Sequence, residues 1–171
     1  MPGAMKRAGR LTARAVAGVV FLAGPVLAIA APPPGASMAG SWGVDGGKRA
    51  MFSLEALQQG QAVCGRVETI SGDKVDSAWF VGTVEADGAR ISFQPNFTGE
   101  DERGRATLTV LGKGWHWQVT EPPATVNHIW DFADLKRNAW GSGRMKLVET
   151  WCRSKWPGIL AGRLEEVDLG N

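Results

Sequence analysis

Trp79-Phe80-Val81-Gly82-Thr83-Val84-Glu85-Ala86-Asp87-Gly88-Ala89-Arg90-Ile91-Ser92-Phe93-Gln94 carries the fold of this chain in miniature. Trp79 to Glu85 is a β-prone run and Ala86-Asp87-Gly88 a compact turn. On the returning run Ala89, Ile91 and Phe93 alternate with Arg90, Ser92 and Gln94. Glycine in the turn supplies a positive φ without steric cost. Period-two alternation sends one set of side chains to a core and the other to water. The stretch therefore reads as a hairpin with one apolar face.

The pattern extends in both directions. Upstream, Phe52, Leu54 and Ala56 alternate with Met51, Ser53 and Glu55 until Gln59-Gly60-Gln61 breaks the run. Ala62 to Ile70 is β-prone and ends at Ser71-Gly72-Asp73-Lys74. Downstream, a polar loop from Pro95 to Gly104 leads into Ala106–Leu111, and Gly112-Lys113-Gly114 turns the chain into Trp115–Thr120. Pro122-Pro123 interrupts the meander. Beyond it Val126–Phe132 reads as a strand, Ala133–Trp140 as a short helical turn or loop, and Arg144–Trp151 as a strand returning Cys152 to the sheet. Short strands with turns every eight to twelve residues predict an all-β domain. An open sheet of this kind leaves two exposed edges, so the expectation is a single antiparallel up-and-down barrel, or closed meander, of about eight strands.

The beginning of the chain reads differently. Lys6, Arg7, Arg10 and Arg14 precede an apolar run, Ala15–Ala30, that ends in Ala28-Ile29-Ala30. A basic head, a short apolar centre and an Ala-x-Ala exit make residues 1–30 a secretory signal peptide. The run contains Pro25 and falls short of the roughly 20 residues a spanning helix needs, so no stable membrane anchor is expected after cleavage. Pro32-Pro33-Pro34-Gly35 makes 31–39 a flexible spacer, 40–162 the barrel domain and 163–171 a tail with little to bury. The protein is then periplasmic or secreted. Without the four signal cations, 15 Lys+Arg stand against 17 Asp+Glu and the formal charge falls from +2 to −2. Such a chain lacks the basic stripe that binds phosphate backbones, which argues against a nucleic-acid partner.

Two cysteines remain, Cys64 and Cys152. In an oxidising compartment an even pair is most simply a disulfide. Two separate thiols, one of them reactive, are the alternative.

Gly40-Ser41-Trp42 followed by this meander resembles the calycin group, the lipocalins and avidin-like barrels, over residues 39–120. The resemblance implies a barrel closed at its base by Trp42, packed against a basic residue near the last strand, here Arg144 or Arg153. Gln61-Ala62-Val63-Cys64-Gly65-Arg66-Val67 looks like the Cys-Gly-Arg-Ile/Val segment of an uncharacterised family of exported bacterial barrels that also open with Gly-x-Trp. The Thr-Asp-Tyr motif of lipocalins is missing, since the chain has no tyrosine, and no avidin biotin-contact pattern is matched. The resemblance bears on fold, and fold does not fix function.

Eight tryptophans, at positions 42, 79, 115, 117, 130, 140, 151 and 156, dominate the candidate chemistry. Indole rings either fill a narrow barrel or line an apolar pocket. A ligand wall would draw on Trp42, Phe52, Trp79, Phe93, Trp115 and Trp117. His116 falls on the face opposite Trp115 and Trp117, as an exposed strand residue. His128, near Asp131 and Asp134, offers the one imidazole beside carboxylates, but alternation turns Asp131 away and no motif marks a nucleophile. Neither histidine nor cysteine spacing forms a metal set. Glu100-Asp101-Glu102 reads as a solvated loop, and Asn96-Phe97-Thr98 as a chance sequon in a bacterial-looking chain. The expectation is a non-catalytic binding protein without metal or cofactor that holds an apolar or amphipathic small ligand. The alternative is a protein partner, for example an envelope hydrolase inhibited through the loops Pro95–Gly104 and Pro122–Asn127.

Overall fold

The computed structural model describes residues 37–45, 50–96, 102–124, 129–138 and 144–170. Residues 1–36, where the signal peptide is expected, Trp140, His128 and parts of both loops named above lie outside the described residues.

Eight strands follow one another: β1 Gly40–Asp45, β2 Ala50–Gln59, β3 Ala62–Ser71, β4 Lys74–Val84, β5 Gly88–Pro95, β6 Gly104–Leu111, β7 Gly114–Glu121 and β8 Phe132–Arg137. Each pairs antiparallel with its sequence neighbour, and β8 returns to β1, so the sheet is a closed barrel. Closure removes both edges, which is why a meander of such short strands is stable as one sheet. The alternation read from the sequence sets the inside. Phe52, Leu54, Ala56, Phe80, Ile91, Phe93, Trp115 and Trp117 are buried in a single interior cluster. At the base, Met38 is fully buried and its carbonyl accepts a hydrogen bond from Trp42 Nε1 at 2.8 Å, so the spacer gives way to packed chain before residue 40. The basic residue over Trp42 is Arg137, 4.8 Å from the ring centroid, with Nη1 donating to the Ala39 carbonyl. Arg144 and Arg153, the expected candidates, pair instead with Glu68 and Glu149.

Gly88 has a role other than the one its turn position suggests. Its φ is not positive; a Cβ there would lie 2.1 Å from the Leu108 carbonyl oxygen, so the glycine lets β5 and β6 approach. The positive-φ hairpin-turn glycines are Gly60, Gly72 and Gly112, in the β2–β3, β3–β4 and β6–β7 hairpins.

Three elements differ from the sequence expectation. Residues 133–137 are not a helical turn or loop but most of β8, with Ala133 and Leu135 inside, because this segment closes the barrel between β7 and β1. Ile129–Asp131 is not strand; β8 begins only at Phe132. The returning strand at 144–151 is the start of a helix, α1 Met145–Leu160. Val148, Cys152 and Ile159, spaced by four and seven, bury one helical face.

That face lies on the outside of the barrel and forms a second core with Ala62, Cys64, Trp79 and Val81. Cys64 and Cys152 are joined there as a disulfide, their Cα atoms 5.8 Å apart. The last residues are not an idle tail. A 3₁₀ turn, Leu164–Glu166, leads to Val167 and Leu169, both buried in the outer core. The Arg103 guanidinium holds this segment by donating to the Leu164 and Val167 carbonyls. Among the described residues, no helix is long and apolar enough to cross a membrane.

Candidate functional site

Five of the six ligand-wall residues meet inside the barrel. Trp42 and Trp115 meet edge-on at 6.2 Å, Phe52 and Trp117 at 5.8 Å, and Phe93 and Trp117 at 5.6 Å between centroids. These are contact distances for aromatic pairs, so the rings fill one another's space as core. Trp79 is not with them. It faces outward and stacks on Trp151 of α1, centroids 4.4 Å apart and planes 11° from parallel. Because the outer layer covers β4, Ala78 and Phe80 on one face and Trp79 and Val81 on the other are all buried, and apolarity alone gives no sign of which face is inside.

The layer of rings continues toward one end of the barrel. Trp117 Nε1 donates to the Trp130 carbonyl at 3.0 Å, and the Trp130 ring sits 6.0 Å from Phe52. Trp130 is only half-buried. It stands where the barrel seam opens. Among the described residues β1 and β2 pair over six residues, whereas β1 and β8 pair at Trp42↔Arg137 and Gly43↔Lys136, with Asn138 N–H donating to the Ser41 carbonyl beside them. Beyond Gly43 lies an open hollow of about 540 Å³, lined by Val44, Trp130, Asp131, Phe132, Ala133 and Asp134. Phe132 is 67 % exposed, unusual for a phenyl ring on a folded surface. Val44, Trp130 and Phe132 were missed as site residues in the sequence. Trp130 was visible there only as one indole among eight, since a short seam leaves no local pattern.

The polar side of the hollow is acidic. Asp134 accepts a hydrogen bond from His116 Nδ1 at 2.6 Å, a direct cross-strand pair between β7 and β8. Among the described residues the imidazole–carboxylate pair is His116–Asp134, on the outer face, and His128 lies outside them. Among the described residues no cluster of three His, Cys, Asp or Glu side chains suits a metal ion.

No family model matches the chain, and neither does any curated protein or solved structure.

One further group of buried charges holds the outer layer in place. Glu68, on the outer face of β3, takes Arg66 at 3.1 Å and Arg144, the residue preceding α1, on its carboxylate. Glu55, beside them on β2, is buried, and that burial pushes its carboxyl above the usual range. Glu68 pushes the same way, while Arg144 and Arg66 pull against it. A carboxyl that binds its proton more tightly folded than unfolded loses stability as pH rises from the ordinary value through the raised one. Glu55→Gln is therefore expected to melt higher than the parent at neutral pH. The advantage shrinks as pH falls toward the ordinary carboxylate range, and thermal melts across that interval measure it.

Proposed function

We propose that this is a non-catalytic binding protein of the cell envelope, periplasmic or secreted, related in architecture to the calycin barrels. Its ligand is a small apolar or amphipathic molecule held where the seam opens between β1 and β8. The hollow beside Trp130 carries the reading. Its volume of about 540 Å³ falls within the usual range for small-molecule sites, and carbon-rich side chains surround a few polar groups. The packed rings beneath it form a floor, so the ligand lies at the mouth rather than along the barrel axis. A closed barrel whose base joins Trp42 to Arg137 supports the calycin kinship. The buried disulfide suits an oxidising compartment.

The neutral apolar fluorophore N-phenyl-1-naphthylamine tests the site. Its emission is expected to rise on saturable binding to the disulfide-bonded protein and to fall when a long-chain fatty alcohol displaces it. Trp130→Ala is expected to weaken binding roughly tenfold, in keeping with loss of one large aromatic contact. No saturable emission change, or unaltered affinity in Trp130→Ala, overturns the proposal.

A further inference from the structure

The outer wall of the barrel carries a second hollow, away from the seam. It measures about 370 Å³ and lies over β4 to β7, bounded on one side by Leu164 and Glu165 of the C-terminal segment. Its floor includes Ser92, which is 7 % exposed and whose Oγ has no hydrogen-bond partner among the described residues. A buried hydroxyl without a partner is destabilising and rare in a finished structure, and such groups mark places where something else completes the bond.

The surroundings say what that is. Thr83, Thr107 and Thr120 add hydroxyls around the floor. Arg105 spans the hollow, with Nε 3.2 Å from Glu121 and Nη2 3.3 Å from Glu165. A bulge in β7 makes this lining. Arg105 pairs with Glu121 and Ala106 with Val119, so Thr120 is an extra residue. Strict alternation would put Thr120 and Glu121 on opposite faces; here both line the hollow, which is how bulges re-aim side chains. The lining charges balance, Arg90 and Arg105 against Glu121 and Glu165, so no ionic ligand is favoured. Adjacent guanidinium donors and carboxylate acceptors, with hydroxyls between them, instead match a molecule whose every polar group both donates and accepts.

We infer that this groove binds an uncharged, hydroxyl-rich ligand, a saccharide, with Ser92 Oγ bonding one of its hydroxyls at the floor. The site is separate from the hollow at the seam, and either can stand without the other.

The test is amide NMR of the ¹⁵N-labelled, disulfide-bonded protein titrated with glucose, N-acetylglucosamine, maltotriose and chitotriose. At least one sugar is expected to give saturable shifts at Ser92, Thr107, Thr120, Glu121, Leu164 and Glu165, leaving Val44 and Trp130 unmoved. Ser92→Ala is expected to weaken that sugar roughly five- to tenfold, as one lost hydrogen bond does. The same variant, freed of its orphan hydroxyl, is expected to melt about 2–4 °C higher without ligand. Loss of binding together with a gain in stability separates a ligand-binding role from a structural one. Absence of saturable shifts with all four sugars, shifts centred on the seam instead, or parental affinity in Ser92→Ala overturns the inference.

Discussion

Cys64→Ala/Cys152→Ala is expected to lose about 4–5 kcal/mol of folding stability, the chain-entropy value for a loop of 88 residues. That is a large share of the roughly 5–15 kcal/mol that holds a domain of this size together. The loss is not spread evenly. The disulfide lies in the outer core, and α1 reaches the barrel through few other strong links: the Trp79–Trp151 stack and the Arg144–Glu68 pair. Cys64 lies within the β2–β3 and β3–β4 ladders, whose backbone pairing does not depend on the sulfur link. Reduction is therefore expected to release α1 and the C-terminal segment before the barrel opens. Far-UV circular dichroism should lose helical signal first, and Trp79 and Trp151 should redden in emission as they meet water. A single transition in which strand and helix signals vanish together would contradict this order.

Trp117→Ala is expected to cost about 3–5 kcal/mol, the range for removing a fully buried aromatic side chain. Trp117 is 0 % exposed, touches Phe52 and Phe93, and ties the Trp130 carbonyl through its Nε1. Its removal leaves a cavity between two rings and an unheld chain at the seam. Two measurements follow from one substitution: a melting temperature lower by about 10 °C or more, and weaker N-phenyl-1-naphthylamine binding although Trp117 itself does not line the hollow. Trp115→Ala, at the opposite end against Trp42, should destabilise the barrel without changing that affinity.

The parts of the fold legible in the sequence were those where one face is apolar and the other polar. Phe52, Leu54 and Ala56 announced β2, and Ala89, Ile91 and Phe93 announced β5, because their outward neighbours are polar even where, as at Glu55, Ser92 and Gln94, they are covered. The Cys64–Cys152 pairing was legible from the even count of cysteines, read with the expectation of an oxidising compartment. What failed lies under the outer layer. Trp79 and Val81 are as apolar as Phe80 because α1 and the C-terminal segment cover them, and local sequence cannot reveal a cover supplied some seventy residues later. The helix itself was masked by Val148, Thr150 and Trp151, residues that favour strands until a surface selects one helical face. Trp130, Val44 and Phe132 share a site only because β1 and β8 stop pairing beyond Gly43. A seam between the first and last strands is set by closure, and closure is a property of the whole chain.

A stearyl alcohol carrying a nitroxide on its terminal carbon, added to the ¹⁵N-labelled protein, reports directly on where an apolar ligand sits. Binding at the seam predicts selective broadening of the amides of Val44 and of residues 130–134, with Ser92 and Glu165 left sharp. Broadening that misses Val44 and Trp130, or none at saturating ligand, would contradict the account.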